Sequence, residues 1–261
     1  MDHFDSMLAA LRQTVFGSLA CEAAPVRLAL MALFGDQAEP VRALALDALA
    51  GDASSLRLGA AIELIDAGLR RLHGELDQDG SLAEELGAAA AVLTGDYLTS
   101  GAFKLLVEHG QWHGMQVVAL AAVQASQAEA AAQAQLQSRG AVEAPPVDAA
   151  WWLARHRSRA EPLGQAAGES GAALAGLADE SRTAAVEFGG RIATAQSLLR
   201  AARAGDDGSD ICLRLCHDEL DAARRLAERL EATTSNRRPG LLCDWLQLRI
   251  DPVRPLPASE R

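Results

Sequence analysis

The 261-residue chain carries 24 basic against 35 acidic side chains, a net charge of −11 with His neutral. A field of that sign repels polyanions, which excludes nucleic acid and anionic membrane surfaces as bulk partners. Lys104 is the only lysine, so Schiff-base or P-loop chemistry could be anchored at that position alone. Apolar residues make up 49% and aromatic residues 4%. Ala and Leu dominate and the strand-favouring β-branched and aromatic residues are scarce, a balance that points to an all-α protein.

In chain order, Phe4, Met7, Leu8, Leu11 and Val15 fall at helical spacing and predict a helix over 3–18. Apolar runs predict helices over 25–34 and 39–50, closed by Gly35-Asp36 and Gly51-Asp52, and a further helix over 54–73. After the polar turn Asp77-Gln78-Asp79-Gly80 comes an Ala-rich helix over about 82–107, then helices over 113–139 and about 147–160. Helices over 161–177, 179–203, 211–232 and 239–250 complete the set, with the turn cluster 204–210 between the second and third of these. Gly140 to Pro146 is a candidate disordered stretch, and 251–261, with three prolines, reads as a fraying tail. No fixed-period repeat appears, so 1–250 is expected to form one domain. The start Met1-Asp2-His3-Phe4-Asp5 is acidic where a secretion signal needs positive charge, and no apolar stretch is long enough to span a bilayer. The expected location is the cytoplasm, with Cys21, Cys212, Cys216 and Cys243 reduced.

Three segments resemble the trans-isoprenyl diphosphate synthases, the polyprenyl synthetase family. Ala60-Ala61-Ile62-Glu63-Leu64-Ile65, followed by Gly95-Asp96-Tyr97-Leu98, is similar to the helix leading into that family's first aspartate motif and to a later helix start. Leu163 to Gly176 resembles the helix after the family's Lys-Thr pair, and Val186 to Gln196 the Phe-Gly…Gly-x-Ala-Phe-Gln stretch before the second aspartate motif. The match runs in order over about residues 20–250. It implies an isoprenoid synthase-type helical bundle around a central cavity, and dimerisation through an extensive helical face that the stretch 82–107 resembles.

The resemblance also implies a chemistry. The family joins an allylic diphosphate to isopentenyl diphosphate, and two Asp-Asp-x-x-Asp motifs hold magnesium against the departing diphosphate. Such ions need hard carboxylate oxygens on one helix face. Threaded here, the first motif falls on His73-Gly74-Glu75-Leu76-Asp77, where Asp77 alone keeps its place. The second falls on Leu199-Arg200-Ala201-Ala202-Arg203, where Arg200 and Arg203 reverse the charge. The family's N-terminal Lys-Arg-x-Arg clamp is threaded on 22–28 and leaves Arg27; its Lys-Thr pair falls on Arg159-Ala160. Arg27, Arg159 and Gln196 are the remaining candidates for substrate contact. The letters Asp-Asp-x-x-Asp occur once, at Asp206, Asp207 and Asp210, past the threaded position and in a Gly-rich loop that lacks a helical face.

No metal site and no cofactor are expected, magnesium entering only if the chain is active. The pairs His73/Asp77 and His109/His113 read as polar helix-end pairs rather than ligands. Cys212 and Cys216, in a Cys-x-x-x-Cys that resembles a motif of non-catalytic small subunits of plant prenyl synthases, read as small core residues. Arg200 and Arg203 could bind an anion, or equally pair with acids such as Asp206 or Asp207 or with a partner. Three functions follow: a non-catalytic subunit, homodimeric or heterodimeric with an active prenyl diphosphate synthase; a diverged prenyltransferase using Asp206, Asp207 and Asp210; or a helical carrier of an apolar ligand. Charge reversal favours the first.

Overall fold

The computed structural model describes residues 2–19, 22–35, 39–51, 54–72, 87–138, 148–205, 208–234 and 236–253. Among them are ten helices and no strand. They are α1 (Asp2–Ser18), α2 (Ala24–Phe34), α3 (Val41–Ala50), α4 (Ser55–Leu72), α5 (Ala88–His109), α6 (Trp112–Ser138), α7 (Ala149–Leu174), α8 (Asp179–Ala204), α9 (Ser209–Thr234) and α10 (Arg238–Ile250). None is long and apolar enough to cross a membrane.

Local chemistry sets the ends. Pro25 and Pro239 stand in the first turns of α2 and α10, where a missing N–H costs nothing. The Asp148 side chain accepts the Trp151 N–H at 2.8 Å and caps α7. Gly51, Gly110 and Gly205 close α3, α5 and α8 in the left-handed conformation, φ 73°, 75° and 75°.

Helix α3 is the axis of the molecule. Every residue from Val41 to Leu49 is buried, and the helix packs against α4, α7, α8 and α10. Helix α5 lies on α4, α6 on α7, and α9 on α8. Helices α7 and α8 meet backbone to backbone: a Cβ on Gly168 would lie 2.1 Å from the Ala185 carbonyl oxygen, and one on Gly189 2.2 Å from that of Gly164. Helix α1 docks through Phe4, edge-on to Trp245 of α10 at 6.5 Å, and through His3, whose Nε2 lies 2.7 Å from the buried Asp47 carboxylate.

One expectation is corrected. The helices expected over 147–160 and 161–177 are a single helix, α7, that runs through Pro162. A proline inside a helix removes one backbone hydrogen bond and clashes with the preceding turn. Here Ala160 and Leu163 are buried on either side of it, and tertiary packing carries the helix through.

Candidate functional site

The spacing of charged residues on α4 and α8 builds the site. Gln196, Arg200 and Arg203 follow at i, i+4 and i+7 and share one face of α8; Glu63 and Asp66 share one face of α4. Between them lies Arg42, in the first turn of α3, with its side chain 1% exposed. Its Nη2 sits 2.8 Å from Asp66 Oδ1, and its Nη1 lies 3.5 Å from Glu63 Oε2 and 3.4 Å from Gln196 Oε1. Glu63 has a second task. Its Oε1 accepts the backbone N–H groups of Arg42 at 2.7 Å and Ala43 at 3.1 Å. A carboxylate from α4 thereby satisfies amides at the start of α3 that the helix itself leaves without partners. Burial pushes the Glu63 pKa up, against the lowering effect of Arg42.

A cavity of about 30 Å³, room for one or two waters, opens beside this group. Arg42, Asp66, Glu129, Arg159, Ser197 and Arg200 are among its walls. Arg200 Nη1 lies 3.8 Å from Asp66 Oδ2, and Arg159 forms an ion pair with Glu129. Ser197 Oγ is 2.9 Å from His156 Nδ1. The His156 ring stacks on Trp152 at 5.9 Å, and burial lowers its pKa to about 4, so it is neutral at pH 7.

Next to the cavity a second clasp holds Glu39. Arg203 approaches that carboxylate with both terminal nitrogens, Nη1 at 3.0 Å and Nη2 at 3.1 Å, and Nη2 also donates to the Arg249 carbonyl at 3.0 Å. Arg249 lies 3.6 Å from the same carboxylate and stacks over the Trp245 ring. The Gln196 amide donates to the Glu39 carbonyl. Helices α3, α4, α8 and α10 are thus tied by guanidinium–carboxylate pairs.

The sequence candidates fall as follows. Arg200 and Arg203 are brought together, with Asp66 and Glu39 as counterions. Leu199 is fully buried in the core, and Gln196 is fully buried and bonded to Glu39 and Arg42. Arg159 reaches the cavity. Arg27 is exposed on α2 and is not part of the cavity wall. Asp210 stands in the first turn of α9 rather than in a loop; a carboxylate is favoured there by the helix dipole. His73, Asp77, Cys21, Asp206 and Asp207 lie outside the described residues. His113 pairs with Glu169 at 3.0 Å, and Arg182 grips the same carboxylate. Cys212 and Cys216 are buried free thiols, pushed up to about 11 and about 12 by desolvation. Among the described residues no group of three or more His, Cys, Asp or Glu is placed to hold a metal ion.

Sequence reasoning missed Glu39, Arg42, Asp66 and Glu129. The signal was present: each is a charge inside or beside an apolar run, and a buried charge demands a partner. It did not say which acid meets which arginine. The magnesium that the resemblance implies does not fit the described half of the site. Positions 199, 200 and 203 offer no oxygen ligand, and Asp66 and Glu39 face guanidinium groups.

No protein-family model matches the chain, and no curated protein matches it. Solved structures do. The heptaprenyl diphosphate synthase of Staphylococcus aureus aligns with a TM-score of 0.74 at 12% identity, over 96% of this chain and 98% of that one. A decaprenyl diphosphate synthase from Rhodobacter capsulatus gives 0.71 at 16%, over 97% and 98%. A polyprenyl synthase from Caulobacter crescentus, complexed with calcium and isoprenyl diphosphate, gives 0.70 at 17%, over 96% of both. The chain has the all-α fold of the isoprenoid synthases. Within that fold it carries arginines facing the carboxylates Asp66 and Glu39.

Proposed function

We propose that the chain is a non-catalytic polyprenyl synthetase-like subunit that pairs with an active prenyl diphosphate synthase and regulates or stabilises it. The observation that carries this reading is the state of Arg200 and Arg203. They stand where the resemblance calls for two metal-binding carboxylates, and both are engaged with Asp66 and Glu39. A diphosphate leaving group needs positive charge free to follow it into the transition state. Guanidinium groups already facing protein carboxylates supply little of that.

The test is prenyl transfer by the purified chain, with isopentenyl diphosphate, allylic diphosphates of three lengths and magnesium. A second arm adds a complete synthase from the same source. The expected result is no turnover alone and a changed rate or product length in the mixture. Turnover by the chain alone, abolished by Asp210→Ala or Asp207→Ala, would overturn the reading.

A further inference from the structure

Ser197 and His156 take no part in the clasps around Arg42 and Glu39. Ser197 follows Gln196 on α8, is half-buried, and forms part of the cavity wall. Its hydroxyl lies 2.9 Å from His156 Nδ1. A hydroxyl has one hydrogen to give, and among the described residues Nδ1 is the acceptor within its reach. The ring then carries its own proton on Nε2. His156 is 6% exposed and stacks on Trp152 at 5.9 Å. Trp152 is itself packed against the chain at Gly208, where a Cβ would lie 2.6 Å from the indole. The imidazole is therefore held in one orientation. Burial keeps it neutral at pH 7, the form that can take a proton.

We infer that Ser197 is an acylation site, a nucleophile with His156 as its base, which accepts a small acyl group from an activated ester or thioester. Three features of the cavity favour that class. Arg42, Arg159 and Arg200 stand on the wall with Ser197 against Asp66 and Glu129, a local surplus of one positive charge in a chain of −11. That surplus matches the single negative charge of a tetrahedral oxyanion. Arg42 Nε, on a side chain 1% exposed, has no acceptor of its own among the described residues. Leu69 and Ala160 add apolar surface for the acyl carbon, and a volume of about 30 Å³ limits that group to about the size of acetyl. In the step, Ser197 Oγ bonds to the acyl carbon as the bond from that carbon to the leaving oxygen or sulfur breaks. The Oγ proton passes to His156 Nδ1 and then to the leaving atom, so the imidazole ends neutral. The products are an ester on Ser197 and a free alcohol or thiol. The burial that holds His156 neutral also weakens it as a base, so the reaction is read as a single slow acylation rather than as turnover.

The inference is independent of the proposed function, since neither a prenyl diphosphate nor a partner chain enters its test. The purified chain is treated with p-nitrophenyl acetate near neutral pH and followed by intact mass and peptide mapping. Lys104 is the only lysine, so amine background is confined to it and the chain terminus, and its labelling rate is an internal reference. One acetyl group is expected on Ser197, and Ser197→Ala is expected to lose it. His156→Gln keeps a polar side chain beside Ser197 but no base. It is expected to slow labelling of Ser197 by about 100-fold or more while leaving Lys104 labelling and the thermal melt unchanged. Arg200→Gln removes a guanidinium from the oxyanion's surroundings, serves where His156→Gln does not fold, and is expected to slow Ser197 by about 100-fold. Ser158→Ala, at an exposed serine of α7, is expected to label as the wild type does. Acetyl on Lys104 and the terminus alone would overturn the inference. So would labelling of Ser197 that keeps the wild-type rate in both the His156 and the Arg200 variant.

Discussion

A buried arginine between two buried carboxylates is costly to disturb, and Arg42 is such a residue. Its guanidinium is the close counterion of Asp66 and sits within reach of Glu63. Arg42→Met, similar in reach but neutral, is expected to destabilise the fold by about 3–5 kcal/mol near pH 7.5, because it strands buried acid. The loss is expected to be smaller at pH 5. Glu63 already has a pKa raised by desolvation, and without Arg42 it rises further. A carboxyl whose folded pKa lies above its unfolded value binds more protons when folded. Its presence therefore lowers stability as pH rises through the window from its ordinary value of 4.5 to the folded value. Urea denaturation at both pH values checks this. His156 works in the opposite window. Its folded pKa is about 4 against 6.5 unfolded, so the unfolded chain takes up the proton first. Wild-type stability is expected to fall by about 3 kcal/mol between pH 6.5 and 4 from this group alone. His156→Asn is expected to flatten that slope, read as the pH dependence of the urea midpoint.

At the scale of elements, α7 against α8 is the contact that tolerates least. A methyl on Gly168 would lie 2.1 Å from a backbone oxygen and 2.9 Å from the Val186 Cα, neither of which can rotate away. Gly168→Ala is expected to cost about 3 kcal/mol. Gly17→Ala on α1 meets nothing within 4 Å and is expected to gain about 0.5 kcal/mol from helix propensity. Thermal melts of the two variants, moving in opposite directions, check the contrast. The same pairing explains what the sequence could convey. The i, i+3, i+4 pattern of apolar residues is local, so helices such as 25–34 and 54–73 were legible to within a residue or two. Helix α7 was split in two because Pro162 is a local stop signal, and what overrides it is packing from residues far away in the chain. The site was half legible for the same reason. The face Gln196, Arg200, Arg203 is a local period and could be read. The partners Glu39 and Asp66 come from elements more than a hundred residues away, and only the fold brings them there.

At the scale of the whole molecule, the arginine clasps decide how the chain responds to magnesium. Carboxylates and arginines are matched across the cleft: Arg42 and Arg200 face Asp66, and Arg203 and Arg249 face Glu39. With those acids already neutralised, a divalent cation gains little by entering, and wild-type melting is expected not to shift with millimolar magnesium. Arg200→Asp with Arg203→Asp removes two of the four cations and adds two carboxylates opposite Asp66 and Glu39. Like charges at such distances destabilise the closed arrangement, and the melting temperature is expected to fall by several degrees. A cluster of facing carboxylates is also what a hard cation binds, and binding to the folded state alone raises its stability. Magnesium is therefore expected to recover part of the loss in the double variant while leaving the wild type unmoved. Prenyl transfer is not expected to return with it, because Leu199 still lacks an oxygen and Lys104 is still the only lysine. A wild-type melting temperature that climbs with magnesium would mean that the cleft holds acid without a counterion, and the reading of Arg200 and Arg203 as resident counterions would fail with it.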